Sequence, residues 1–311
     1  MYCSSPYLEE FYRRATASAK KITADYELIL VNDGSPDDSL TQAVELHERD
    51  DRVKVLDLSR NFGHHKAMMT GLKHSRGEWV FLIDCDLEEA PELLEKFHAE
   101  LQRGAADVVY GGLPARKGGA FERLSGRLFY AMFNLLSTHP VPANSALARL
   151  MSRRYVNALV QHLEHEVFLP GLWELTGFRQ VSVPAIKEDK GKSTYTLRRK
   201  VALFVNALTS FSNKPLVFIF YLGCAIVSLA SIAALYLIVL RLFFGPLRTG
   251  WPSTIVSIWL LGGLNIFCLG VIGIYLSKVF TETKARPYTI IRRVYDRNPE
   301  ASSRETKREG E

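Results

Sequence analysis

Two carboxylates one residue apart, Asp84 and Asp86, close an unbroken apolar run from Trp79 to Ile83. A run of that length reads as a buried strand, and open α/β sheets bind their ligands at the carboxyl ends of their strands. Two acids so placed are hard oxygen donors that can share a divalent cation. The chemistry to expect is that of a metal and a phosphate-bearing ligand. Two other loops belong beside this one. Asp33-Gly34-Ser35 follows an apolar segment, Tyr26 to Val31, and Arg60-Asn61-Phe62-Gly63 follows Val53 to Leu58. An acid at a strand end accepts hydrogen bonds from a base or ribose, and glycine lets backbone approach a ligand closely. Taken alone, Asp33 reads as a turn or a helix cap; three such loops together are less easily read as turns.

The elements that must position these loops alternate. Leu8, Phe11, Tyr12 and Ala15 fall at helical spacing over residues 7–21, after Pro6. Strand 26–31 leads to a helix through Leu40, Val44 and His47, strand 53–58 to a helix from about His64 to His74, and strand 78–83 to a helix from Pro91 to Gln102. Asp107 to Tyr110 reads as a fourth strand. That rhythm predicts an α/β, Rossmann-like, mostly parallel sheet with its loops gathered on one edge. Because the chain opens on a helix, a strand preceding Met1 is expected.

The 311 residues are 47% hydrophobic and 23% charged, as in a folded protein, but the average hides a division. Leu216 to Phe244 contains no charge except Arg241, and Ile255 to Ser277 contains none. Each exceeds the ~20 residues needed to cross a bilayer as a helix. Arg198, Arg199, Lys200 and Lys214 precede this pair and Lys278, Lys284, Arg286, Arg292 and Arg293 follow it, whereas the connection holds only Arg241 and Arg248. The positive-inside rule then places the soluble head and both termini in the cytoplasm. The net charge of +6 lies largely in these flanks and points to anionic headgroups, with no nucleic acid among the partners. The four cysteines show neither metal-ligand spacing nor a disulfide framework.

Between head and spans lie three further features. Phe121, Leu124, Leu128, Met132 and Leu135 share a helix face, which suits a membrane-surface helix or a core helix equally. Lys190-Gly191-Lys192-Ser193-Thr194-Tyr195 within a basic run could be a solvated loop, or could grip a diphosphate or lipid phosphate. Leu197, Val201, Phe204, Leu208 and Phe211 form the apolar face of an interfacial helix.

Val31-Asn32-Asp33-Gly34-Ser35, Arg60-Asn61-Phe62-Gly63-His64, and Asp84-Cys85-Asp86-Leu87 followed by Pro91-Glu92-Leu93 resemble the successive signatures of family-2 glycosyltransferases. The likeness is greatest to the branch of dolichyl- and undecaprenyl-phosphate sugar transferases with a C-terminal membrane hairpin, and it covers nearly the whole chain. It implies a GT-A fold, an NDP-sugar donor of the UDP or GDP type, Mg2+ or Mn2+, and inversion at the anomeric carbon. It implies that Asp33 binds the nucleoside, that Asp84 and Asp86 hold the metal and nucleotide phosphates with Asp86 the direct ligand, and that Arg60 and Lys192 meet the diphosphate. Arg149, Ser193, Tyr195 and Arg198 would hold the acceptor. His165 to Leu172 is similar to the stretch that lies beneath sugar and acceptor in the family, which gives Glu166 a catalytic role. Val141 to Met151 resembles the acceptor-side motif but departs from it: where relatives carry an acid and an aromatic before Arg-Leu, this chain has Leu147 and Ala148. A sugar hydroxyl would need a base there. A polyprenyl phosphate, with a second pKa near ~6, is already mostly ionised and needs only positioning.

The expectation is a GT-A domain over residues 1–196, an interfacial helix over 197–213, two transmembrane helices within 214–280, and a basic, partly disordered tail over 281–311. It would act at the inner (plasma) membrane as a multi-pass transferase of a sugar from an NDP-sugar to a polyprenyl phosphate for cell-envelope glycans, self-association being left open. Transfer to a hydroxyl of a lipid-linked saccharide, with Glu164 or Glu166 as base, and a non-catalytic nucleotide-binding scaffold are the rival readings. A dinucleotide-dependent oxidoreductase is disfavoured because no Gly-x-Gly-x-x-Gly follows a strand.

Overall fold

A computed structural model describes residues 1–104, 106–113, 145–165, 167–186, 214–244 and 250–297. The chain divides into two compact units. The first comprises residues 1–130, 141–194 and 286–311, and the second residues 131–140 and 195–285.

The first unit opens with α1 (Leu8–Ile22), whose Glu9 and Glu10 stand in the first turn and Lys20 and Lys21 in the last, each complementing the helix dipole. Then follow β1 (Leu28–Asn32), α2 (Ser39–Arg49), β2 (Val53–Leu58), α3 (His64–Lys73), β3 (Trp79–Leu82), α4 (Leu93–Gln102) and β4 (Val108–Gly112). Up to this point the expected alternation holds to within a few residues. After the segment 114–144, which lies outside the described residues, come β5 (Ser145–Ser152), α5 (Arg153–Leu159), α6 (Leu169–Leu175) and β6 (Gln180–Pro184).

The strands form two sheets, in orders β1-β2-β7 and β3-β5-β4-β6, where β7 is Ile291–Tyr295. The sheets are mixed rather than mostly parallel. β1 and β2 run parallel, as do β4 and β6, but β5 inserts antiparallel between β3 and β4, and β7 runs antiparallel to β2. β7 falls within residues expected to belong to the tail; it is instead an edge strand of the head. The residue on the other side of β1 is Met1, whose amino group donates to the Val31 carbonyl while its own carbonyl accepts from Asp33 N at 3.0 Å.

Two apolar clusters hold these layers. Leu8 and Phe11 of α1 pack with Leu30, Ala43, Leu46, Val53 and Val55, and Leu93, Phe97 and Leu101 of α4 pack with Val109, Ala148, Leu150 and Ala185. Each large side chain so buried contributes about 1.5–3 kcal/mol. Ile83 packs against both clusters, so the residue preceding Asp84 is anchored on two sides.

The described part of the second unit is two helices, α7 (Lys214–Phe244, 31 residues) and α8 (Trp251–Thr283, 33 residues). Both are long and apolar enough to cross a membrane. Leu229, Leu242 and Trp259 are at least 70% exposed, an arrangement that water would penalise.

Candidate active site

Parallel register sets the first two loops side by side. Leu28 lies opposite Val53 and Asn32 opposite Asp57, so Asp33-Gly34-Ser35 and Ser59 to Gly63 leave the sheet at the same end. Gly34 has φ +61°, and a Cβ there would lie 2.5 Å from the carbonyl carbon of Arg60 and from Asn61 N. The two loops are therefore in backbone contact, which glycine alone permits. Asp33 is 3% exposed and binds the second loop directly: Oδ1 accepts from Phe62 N at 2.7 Å and Oδ2 from Gly63 N at 3.0 Å. Expected to face a nucleoside, this carboxylate also fixes the shape of the loop bearing Arg60. The Arg60 side chain stands exposed above it, its guanidinium 4.1 Å over the Phe62 ring and bonded to Asn61 O.

The third loop is joined to the second by His64, the first residue of α3. Its Nε2 lies 3.5 Å from Asp84 Oδ1. Asp86 Oδ1 accepts from Glu88 N at 2.9 Å, and the chain between them turns through Leu87 at φ +62°. A leucine in that region is strained, as residues held in functional turns often are. The turn delivers Glu89 inward. At 3% exposure, Glu89 accepts from Leu147 N at 3.0 Å and Ala148 N at 2.6 Å. The backbone at position 147, where the resemblance leads one to expect an acid, is thus met by a carboxylate from the segment after Asp86, with both oxygens engaged by backbone. Sequence reasoning assigned Glu89 no role, and beside Glu88, Asp86 and Asp84 nothing in the segment singles it out.

Among the described residues no group of three or more His, Cys, Asp or Glu is arranged to hold an ion. Two carboxylates nevertheless fit Mg2+ or Mn2+, which are commonly bound by one or two carboxylates together with substrate phosphates.

His65 brings in the stretch after β5. Its Nδ1 donates to Val167 O at 3.2 Å and its ring meets Phe168 edge-on, 6.0 Å between centroids. That places Val167 and Phe168 one residue along α3 from His64. Burial, with a further push from His64, lowers the His65 pKa from 6.5 to about 4 despite the Val167 contact. The imidazole is then neutral in the folded chain while the unfolded chain protonates below about pH 6.5, so stability falls as pH drops through this window. Acidification from pH 6.5 to 5 should cost about 2 kcal/mol through this residue. Thermal melts of His65→Asn, which keeps a donor for Val167, should show a correspondingly flatter acid limb; the wild-type slope in the variant would contradict this account.

Arg149, expected to hold the acceptor, is buried on β5. It stands on β5 opposite Leu82 and Tyr110, is 1% exposed, and lies over the Trp173 ring. Its Nε donates to Leu147 O, and its Nη1 has no hydrogen-bond partner among the described residues. Burial disfavours its charged form. Glu166, Lys192, Ser193, Tyr195 and Arg198 lie outside the described residues, as do Phe121 to Leu135, the interfacial segment 197–213 and the tail beyond 297.

Residues 2–160 match the sequence family described as Glycosyl transferase family 2. A Mycobacterium tuberculosis (strain CDC 1551 / Oshkosh) protein named among glycosyltransferases is 58% identical over 295 residues, covering 95% of this chain and 86% of its own. The SfII prophage-derived bactoprenol glucosyl transferase of Shigella flexneri is 30% identical over 291 residues, covering 93% of this chain and 94% of its own. Among solved structures, a mannosyltransferase from Pyrobaculum calidifontis in complex with GDP-Man and Mn2+ is 16% identical, covers 91% of this chain and 84% of its own, and superposes with a TM-score of 0.47.

Proposed function

The chain belongs to glycosyl transferase family 2, and on that premise we propose that it moves a sugar from a nucleoside-diphosphate sugar to a polyprenyl phosphate at a membrane surface. It is a glycosyltransferase with a GT-A type α/β head and two C-terminal helices of bilayer-spanning length. The observation that carries the proposal is the joining of three strand-end loops: Asp33 grips the Arg60 loop, and His64 at the end of that loop touches Asp84. Relatives named bactoprenol glucosyl transferases that align over nearly their full length support the acceptor class.

In this reading the nucleoside lies along Asp33 and Gly34, and Asp84 and Asp86 hold a divalent cation, Mg2+ or Mn2+. When bound, that cation neutralises the charge developing on the departing nucleoside diphosphate. Arg60, exposed and lying over Phe62, adds a second positive charge at the same loop edge. An acceptor phosphate oxygen attacks the anomeric carbon as the carbon–oxygen bond to the diphosphate breaks, which inverts the centre and releases the nucleoside diphosphate. No proton has to be removed from an ionised phosphate. Glu89 is committed to the Leu147 and Ala148 amides, which agrees with an acceptor that needs no base.

In this reading the two helices of bilayer-spanning length form a hairpin, with the cation-rich flanks at its outer ends. The flanking cations assign those ends to the cytoplasm, where nucleotide sugars are made.

The test is full-length protein in detergent, incubated with Mn2+, radiolabelled UDP- and GDP-sugars and undecaprenyl phosphate. Metal-dependent label in the organic phase is expected with one of the donors. Label that appears only when a lipid-linked saccharide replaces undecaprenyl phosphate would overturn the phosphate acceptor, and no label with either acceptor would overturn the activity.

A further inference from the structure

We propose that β7, the strand reached only after both long helices, is a working part of the donor site, and that Arg292 is a positioning residue for it. The inference rests on reading the Ser59–Gly63 loop as donor-binding.

The pairing of β7 with β2 sets Tyr295 against Val55, Val294 against Leu56, Arg293 against Asp57 and Ile291 against Leu58, with the register shifting between Asp57 and Leu58. Arg292 is the extra residue at this bulge. Bulges re-aim side chains, and they recur beside active sites. Here the guanidinium turns toward the mouth of the loop. Its Nη2 donates to Ser59 O at 2.5 Å, and its Nη1 lies 3.5 Å from Asp57 Oδ2. The neighbouring backbone adds a second tie, Ser59 N donating to Ile290 O at 2.9 Å, and Thr289 adds a third through its hydroxyl, 2.8 Å from that of Thr70 on α3.

Asp57 carries the contact inward. At 2% exposure, its Oδ1 accepts from Asn32 Nδ2 at 2.8 Å, and Asn32 Oδ1 accepts from Ser35 N at 3.2 Å. The exposed Arg292 guanidinium is the cation set beside this carboxylate, at 3.5 Å. The chain Arg292, Asp57, Asn32, Ser35 therefore reaches the Asp33–Ser35 loop, while Ser59 is held directly. The donor loop is gripped at its start by β7 and at its end by Asp33. Arg293, one residue on, stacks over Tyr295 and touches neither loop through its side chain among the interactions described.

The experiment uses the full-length chain in detergent, comparing wild type, Arg292→Gln, Arg292→Lys and, as control, Arg293→Gln. Binding of UDP and of GDP with Mn2+ is measured by calorimetry, transfer kinetics with each substrate varied, and thermal midpoints alongside. Arg292→Gln should weaken nucleotide binding and raise donor KM by about tenfold, the loss of one charge-assisted hydrogen bond. Acceptor KM and the midpoint should stay near wild type, Arg292→Lys should recover part of the loss, and Arg293→Gln should behave as wild type. Wild-type nucleotide affinity in Arg292→Gln would overturn the proposal, as would a rise in both KM values with a lowered midpoint, which marks a merely structural strand. Nucleotide binding that weakens in Arg292→Gln while no lipid is ever labelled sinks the acceptor reading and leaves this one standing. A wild type that binds neither nucleotide overturns both.

Discussion

Asp86→Asn should reduce sugar transfer by about three orders of magnitude while leaving the fold intact. The substitution keeps the shape of the turn, because an amide oxygen can still accept from Glu88 N and Leu87 need not leave its left-handed conformation. What disappears is one of the two negative charges that attract the cation. Lewis-acid stabilisation of a departing diphosphate is worth several kcal/mol, and about 4 kcal/mol corresponds to a ~10³-fold loss of rate. Two measurements separate the cause from misfolding. The thermal midpoint of the variant should match wild type, and Mn2+ titration followed by electron paramagnetic resonance should show the affinity of the nucleotide-bound protein for the ion sharply reduced. Transfer above about a tenth of wild type would remove Asp86 from the metal site.

The second large effect is expected at a residue with no functional group. Gly34→Ala should lower stability by about 2–4 kcal/mol and raise donor KM at least tenfold. Its Cβ would stand 2.5 Å from Arg60 C and Asn61 N, and both are backbone, so no rotamer change relieves the clash. The loops must move apart, and doing so stretches the bonds from Phe62 N and Gly63 N to Asp33. Gly63→Ala is the internal control. Gly63 also has positive φ, +102°, but nothing lies within 4 Å of a Cβ there. Backbone strain alone, at φ +102° and ψ 145°, should cost about 1–2 kcal/mol. Denaturant melts of the two variants should differ accordingly; if Gly34→Ala proves as mild as Gly63→Ala, the loop-to-loop contact is not what holds the donor site together.

The sequence by itself determined the parts of this protein that depend on local pattern. An apolar run ending in Asp84-Cys85-Asp86 is a strand ending in a loop whatever packs around it, and the same holds for Val31 before Asp33 and Leu58 before Arg60. Helical spacing found α1 to α4 for the same reason, and two charge-poor segments longer than a bilayer is thick announced themselves by length alone. What only the tertiary structure decided depends on partners far apart in the chain. Ile291–Tyr295 is short, basic and unremarkable as a segment; it becomes a strand because β2 presents an unpaired edge more than two hundred residues upstream. β5 lies antiparallel between β3 and β4, a placement absent from its own apolar run. Residue type alone says nothing of the contact of Glu89 with the Leu147 and Ala148 amides, or of the burial of Arg149 over Trp173, both of which the fold supplies. Charge and residue type name the chemistry that a side chain can do. Whether it faces a substrate or the interior is set by long-range register, which no local periodicity encodes.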